Sequence, residues 1–160
     1  MAHARSEHYR RQADRSYRLV AECELANPVA PTDFLVTDSG FLVTVDNWHN
    51  LGFGTVLASY APDCKRIAAL QLSDLFSPEE IAAMRHSVSS IHWRHPAVYV
   101  RTDRRSIQLT VDQQGAGIVF EPESGVWQLC AQRSDGFRCR SENQDRRWKA
   151  YREPYPGSGG

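Results

Sequence analysis

The stretch Phe41-Leu42-Val43-Thr44-Val45-Asp46-Asn47-Trp48-His49-Asn50-Leu51-Gly52-Phe53-Gly54 says most about the fold of this chain. Its first five residues are aromatic, aliphatic or β-branched, the composition of a pleated strand. The run then stops in a polar, aromatic and glycine-rich turn. Upstream, Phe34-Leu35-Val36-Thr37 echoes Phe41-Leu42-Val43-Thr44, and the Asp38-Ser39-Gly40 between them suits a three-residue hairpin connection ending in a left-handed glycine. Downstream, the strand pattern resumes from Thr55 to Tyr60, reverses through Ala61-Pro62-Asp63-Cys64-Lys65 and returns from Arg66 to Leu72. Residues 46–54 therefore lie between two hairpins. The expectation for them is an architectural turn, with Asp46 accepting from loop amides, Asn47 or Asn50 left-handed, Trp48 packed, and Gly52 and Gly54 allowing close backbone approach.

Working outward, Ser16 to Leu25 alternates, with Tyr17, Leu19, Ala21, Cys23 and Leu25 on one face, and reads as a half-buried strand. Asn27-Pro28-Val29-Ala30-Pro31 stops it, because the prolines remove ladder donors and hold the chain extended. Ser77-Pro78-Glu79-Glu80 is a capping box with proline at the first helical position, and Phe76 with Ile81 forms a hydrophobic staple. These predict one short helix near 78–85 that docks on a sheet, since so short a helix is marginal alone. Four short β runs follow, at Ala97 to Arg101, Ser106 to Val111, Gly117 to Glu121 and Val126 to Cys130. The expected fold is mainly β, an antiparallel meander or hairpin sheet of about nine strands (sandwich, open barrel or partly propeller-like) with one helix.

The expected organisation is a flexible basic N-terminus at 1–15, one β-rich domain at 16–130 and a charged, partly disordered tail at 131–160, which Trp148, Tyr151 and Tyr155 would anchor in part. The length of 160 residues suits one core. The formal net charge is zero but uneven, with +3 in the first eighteen residues, +3 from Ala131 to Glu153 and −6 between. An acidic body disfavours phosphate binding, which needs lysines and arginines to displace counterions, and the basic ends read as solvated termini, with weak contact to nucleic acid or an anionic surface as the alternative. No apolar run approaches the ~20 residues of a bilayer-spanning helix, and residues 1–18 lack the apolar segment of a signal peptide. As it stands the sequence reads as cytoplasmic, or as exported if a leader was trimmed. The four cysteines, Cys23, Cys64, Cys130 and Cys139, show no C-x-x-C spacing. Cys23 and Cys130 fall in strand-like runs, where cysteine is usually a small buried hydrophobe, and Cys130 with Cys139 would close a loop in an oxidising compartment.

Asn27-Pro28-Val29-Ala30-Pro31, Asp38-Ser39-Gly40, Val45 to Gly54, and Ser87-Val88-Ser89-Ser90 with Trp93 together resemble a family of bacterial proteins of unknown function. Its members share a strand ending in Asp-Asn-Trp-His, a Gly-x-Gly loop and a Ser-Val-Ser-Ser segment after a short helix. The likeness covers roughly residues 17–130 and implies no catalytic residue. The strand rhythm also resembles β-propeller blades, but at ~40 residues per blade the chain is too short for a ring.

No serine-nucleophile elbow, Walker loop or dinucleotide fingerprint occurs. The candidate ligand-binding residues are Asp46, Trp48 and His49, with Trp93 nearby, because polar and aromatic groups concentrate there. The reading is a non-catalytic binding or structural domain with no cofactor. Its rival is a metal-dependent hydrolase using Asp46, His49 and one or more of His86, His92 and His95. A further alternative is a subunit of a larger β assembly, a homo-oligomer joined through sheet edges.

Overall fold

The computed structural model describes residues 3–100, 105–111, 116–133 and 136–139. Strand β1 (Arg5–Arg11) pairs antiparallel with β2 (Tyr17–Glu24) as a two-stranded ribbon. Next comes a four-stranded meander of β3 (Asp33–Val36), β4 (Leu42–Val45), β5 (Leu57–Tyr60) and β6 (Arg66–Leu70), in that spatial order. Two short helices, α1 (Leu72–Leu75) and α2 (Pro78–Ala83), lead to a small hairpin of β7 (Arg85–His86) and β8 (Ile91–His92). The second meander is β9 (Arg94–Val100), β10 (Ile107–Val111), β11 (Ala116–Glu121), β12 (Val126–Arg133) and β13 (Gly136–Cys139). All pairings are antiparallel and neither sheet closes on itself. The mainly β, hairpin-built, open architecture is thus as the alternation of residues predicts.

The two meanders share one core. Val43, Val45 and Leu57 from the first sheet cluster with Ile107, Leu109, Ile118 and Phe120 from the second, and Leu72, Leu75, Phe76 and Trp93 close the cluster. Ile107 lies opposite Phe120 and Leu109 opposite Ile118, so the period of two puts one face of β10 and β11 inward. The sheets also meet at their turns. A Cβ on Gly125 would stand 2.9 Å from Ala68 Cβ, and Ser39 Oγ donates to Glu123 Oε1 at 2.9 Å. Strands β4 and β5 are buried on both faces, because Leu42, Ala58 and Tyr60 on the reverse side join Cys23 and Leu25 in a second, smaller cluster.

Local signals are realised closely. Gly40 is left-handed, with φ of 84°. Ser77 caps α2, its Oγ accepting from Glu80 N while Glu80 Oε2 accepts from Ser77 N. The helix ends at Ala83, two residues short of the expected end, because Met84 turns extended and Arg85 enters β7. The extra helix α1 follows Gln71, whose N–H donates to Asp74 Oδ2 at 2.7 Å. Ser87-Val88-Ser89-Ser90 forms the β7–β8 turn, with Ser87 N donating to the Ser90 carbonyl.

Three expectations need correction. The residues expected as a flexible arm contain β1, a strand legible only through its partner. The face drawn through Tyr17, Leu19, Ala21, Cys23 and Leu25 is not continuous, because the register shifts between His8 and Tyr9 and leaves Val20 unpaired. A one-residue slip exchanges faces, so Cys23 and Leu25 are buried while Leu19 and Tyr17 stand in solvent. Finally, Cys23 is buried but not a free thiol. It is bonded to Cys64, tying β2 to the β5–β6 turn across 41 residues. Cys130 is also disulfide-bonded and stands opposite Cys139 in the β12–β13 register. Most of the expected tail, including Trp148, Tyr151 and Tyr155, lies outside the described residues.

Candidate functional site

The turn between β4 and β5 is built on Asp46 and Asn47, both 1% exposed. Asp46 has a left-handed backbone, with φ of 58°, which an Asp tolerates better than a β-branched residue. Its Oδ1 accepts from Gly52 N at 2.7 Å, closing the loop on itself. Its Oδ2 accepts from Trp93 Nε1 at 2.9 Å and from Arg94 Nε at 3.1 Å. Asn47 Nδ2 donates to the carbonyls of Phe53 and Thr55 at 2.7 and 2.9 Å. Asn47 Oδ1 accepts from the fully buried Asn27, whose Nδ2 also reaches the Asp46 carbonyl and whose Oδ1 accepts from Thr44 Oγ1. The loop thus joins the segment after β2, the β4–β5 crossing and the start of β9.

Arg94 completes this latch. Nε donates to Asp46, Nη1 to the carbonyls of His95 and Pro96, and Nη2 to Thr32 Oγ1 and, at 2.6 Å, to Asp33 Oδ2. Those bonds use all five N–H donors of a guanidinium. Its side chain is 6% exposed and that of Asp46 2%, so the pair is desolvated. Burial pushes the Asp46 carboxyl above its usual range, against the Gly52 amide, Arg94 and Trp93 donors, which favour the carboxylate. A cleft of about 410 Å³ lies beside the latch, lined among others by Asp33, Arg85, His92, Trp93 and Arg94. A ligand there would meet in Arg94 a cation whose donors are already spent.

Gly52 and Gly54 are left-handed, with φ of 79° and 65°. Gly52 is the tighter of the two, since a Cβ there would lie 2.8 Å from Ile91 Cβ and 2.9 Å from the Ile91 carbonyl oxygen. Leu51 O accepts from Ile91 N at 2.8 Å, which seats the loop on β8. The other left-handed residue of the turn is His49, with φ of 74°, rather than Asn47 or Asn50.

The four candidate residues therefore separate. Asp46 and Trp93 meet through a buried hydrogen bond, whereas Trp48 and His49 project outward, their rings in an edge-on contact with centroids 5.3 Å apart. Trp48 is 57% exposed, and Phe53, at the far end of the same loop, is 50% exposed. The histidines proposed as metal ligands are not brought together. His86 Nε2 donates to the Ile81 carbonyl, and among the described residues no three His, Cys, Asp or Glu side chains converge to hold a metal ion. Arg94, Asp33 and Asn27 are the members of the site that sequence reading passed over. Asn27 stands beside Pro28 and Arg94 beside Trp93, a weak local signal, and Asp33 between Thr32 and Phe34 carries none. No family model, curated protein or solved structure matches the chain. No helix among the described residues is long and apolar enough to cross a membrane.

Proposed function

We propose that this protein is a non-catalytic binding domain that presents the 46–54 loop to a ligand. The observation that carries this reading is the division within the loop. Its base, Asp46 and Asn47, is buried and hydrogen-bonded on every side, while Trp48 and Phe53 stand in solvent at the rim. Exposed rings on a rigid support lose little conformational entropy on binding and offer a flat apolar face, which suits a sugar ring or a peptide side chain. The saturated Arg94 and the scattered histidines support a non-catalytic role, since neither a poised acid–base pair nor a metal-binding set is available from them.

The test is to screen the full chain and its Trp48→Ala and Phe53→Ala variants on glycan and peptide arrays. Ligands lost by at least tenfold in either variant, with unchanged thermal unfolding, support the loop as the binding surface. Ligands held equally by all three proteins remove it. A second reading, a subunit of a β assembly, is favoured by the edge strand β3, whose Phe34 and Val36 are 69% and 60% exposed. Sedimentation equilibrium of the wild type beside a Phe34→Lys variant separates this reading, because only edge pairing makes the mass depend on Phe34.

A further inference from the structure

The tip of the β1–β2 ribbon carries charge that no ion pair among the described residues neutralises. Between Tyr9 and Leu19 there are four arginines, Arg10, Arg11, Arg15 and Arg18, against the single Asp14. Among the described residues no ion pair is found at any of these four. Asp14 is occupied locally, its Oδ1 accepting from both the N–H and the hydroxyl of Ser16. Arg10 and Arg18 are direct cross-strand partners, an arrangement in which like charges repel. The turn itself is ordered, with Gln12 N donating to the Ser16 carbonyl, Arg15 N to the Gln12 carbonyl, and Arg15 left-handed at φ of 68°. The repulsion is therefore held in a defined hairpin.

Apolar groups stand among the arginines. The register shift pairs Tyr9 with Leu19 and Arg11 with Tyr17, and Tyr9, Tyr17, Leu19 and Val20 are all exposed. The base of the ribbon, by contrast, is fixed by the Cys23–Cys64 bond, by Leu25 in the smaller cluster and by the Ala26 N–H donating to the Tyr60 hydroxyl at 2.6 Å. The ribbon is a projecting finger, anchored at one end and amphipathic and cationic at the other.

We propose that this finger docks tip-first on an anionic lipid surface. Charge complementarity selects an anion, because four exposed guanidinium groups gain from each negative headgroup they approach. The exposed tyrosines and aliphatics select lipid over a purely hydrophilic polyanion, since tyrosine favours the headgroup level and Leu19 and Val20 gain by leaving water. The disulfides point the same way. Such bonds persist in oxidising compartments, where membrane surfaces are abundant and genomic nucleic acid is not.

Vesicle sedimentation of the full, oxidised chain tests the assignment. Vesicles of phosphatidylcholine with about a third phosphatidylglycerol are expected to retain the protein and pure phosphatidylcholine is not, with retention falling as salt is raised. The Arg10→Gln/Arg18→Gln variant is expected to bind the anionic vesicles more weakly by roughly fivefold per arginine removed. Leu19→Ser with Tyr17→Ser should weaken binding again while leaving thermal unfolding unchanged, as all four positions are exposed. Equal retention on neutral vesicles, or no effect of the arginine pair, overturns the proposal. Equally tight binding of heparin or duplex DNA that ignores Tyr17 and Leu19 assigns the tip to polyanions in general. Salt-sensitive dimerisation without vesicles assigns it to the acidic body of a second copy.

Discussion

The latch at Asp46 and the tip of the β1–β2 ribbon are both rich in arginine, tyrosine or tryptophan, and acid, yet they are physical opposites. At the latch one arginine is shared among five acceptors, two of them carboxylates, with the Arg94 and Asp46 side chains out of water. At the ribbon tip four arginines stand in water with their one acidic neighbour already engaged. Polar residues whose bonds are complete hold the fold together, and removing one leaves its partners stranded. Polar and apolar residues left incomplete by the fold are available to something outside it. The same contrast recurs across a few residues of the 46–54 loop, where Asp46 is structural and Trp48 is free.

The largest effect that sharpens this contrast is expected from Arg94→Met. It leaves the Asp46 carboxylate buried without its cation, which costs about 3–5 kcal/mol of stability, measured by urea unfolding at neutral pH. The sign of its pH dependence is a second check. Because burial raises the folded pKa of Asp46, its contribution is fully present below the ordinary carboxylate pKa and is lost as pH rises through the raised one. Losing Arg94 raises that pKa further, so the deficit of the variant should shrink as pH falls toward the ordinary carboxylate range. A deficit that is constant with pH would show that Arg94 acts only by packing.

Next in size is the double variant Cys23→Ala/Cys64→Ala. Opening a cross-link between residues 41 apart removes roughly 2–4 kcal/mol. The loss should be local in hydrogen exchange, with amides of β1 and β2 losing protection while β4 and β5 keep theirs, because a two-stranded ribbon is marginal without its anchor. Uniform loss across both sheets would mean that the ribbon is not a separable finger. Gly52→Ala comes third, at about 1–3 kcal/mol, since the methyl must displace Ile91 and the residue must stay left-handed. Thermal unfolding measures it. A neutral result would mean that the loop shifts freely on β8.

What was legible in the chain follows the same divide between local and long-range physics. The β3–β4 and β5–β6 hairpins show in β-rich runs broken by the short turns Asp38-Ser39-Gly40 and Ala61-Pro62-Asp63-Cys64-Lys65, and the cap of α2 shows within Ser77 to Glu80, because each is decided by residues near in sequence. Asp46 was legible as a loop acceptor for a similar reason. Its partner Arg94 was not, since 48 residues separate them and a buried arginine carries no local mark of its burial. Strand β1 has no apolar alternation to read, because its outer half has no core to face. The Cys23–Cys64 bond is one of several pairings that four cysteines allow, and only the folded register brings these two together.

The smallest expected effect on stability is the most informative about the loop. Trp48→Ala removes a side chain 57% exposed, whose ring contact among the described residues is with the exposed His49, and should change unfolding free energy by within about 0.5 kcal/mol. Trp93→Phe, on a residue 1% exposed, keeps an aromatic ring but shrinks it and strips the donor from Asp46, and should cost about 1–3 kcal/mol. Measured side by side in urea, the two tryptophans set the boundary between the part of the site that supports and the part that is offered. Should Trp48→Ala prove as costly as Trp93→Phe, that ring belongs to the scaffold, and the binding surface must be sought at the ribbon tip alone.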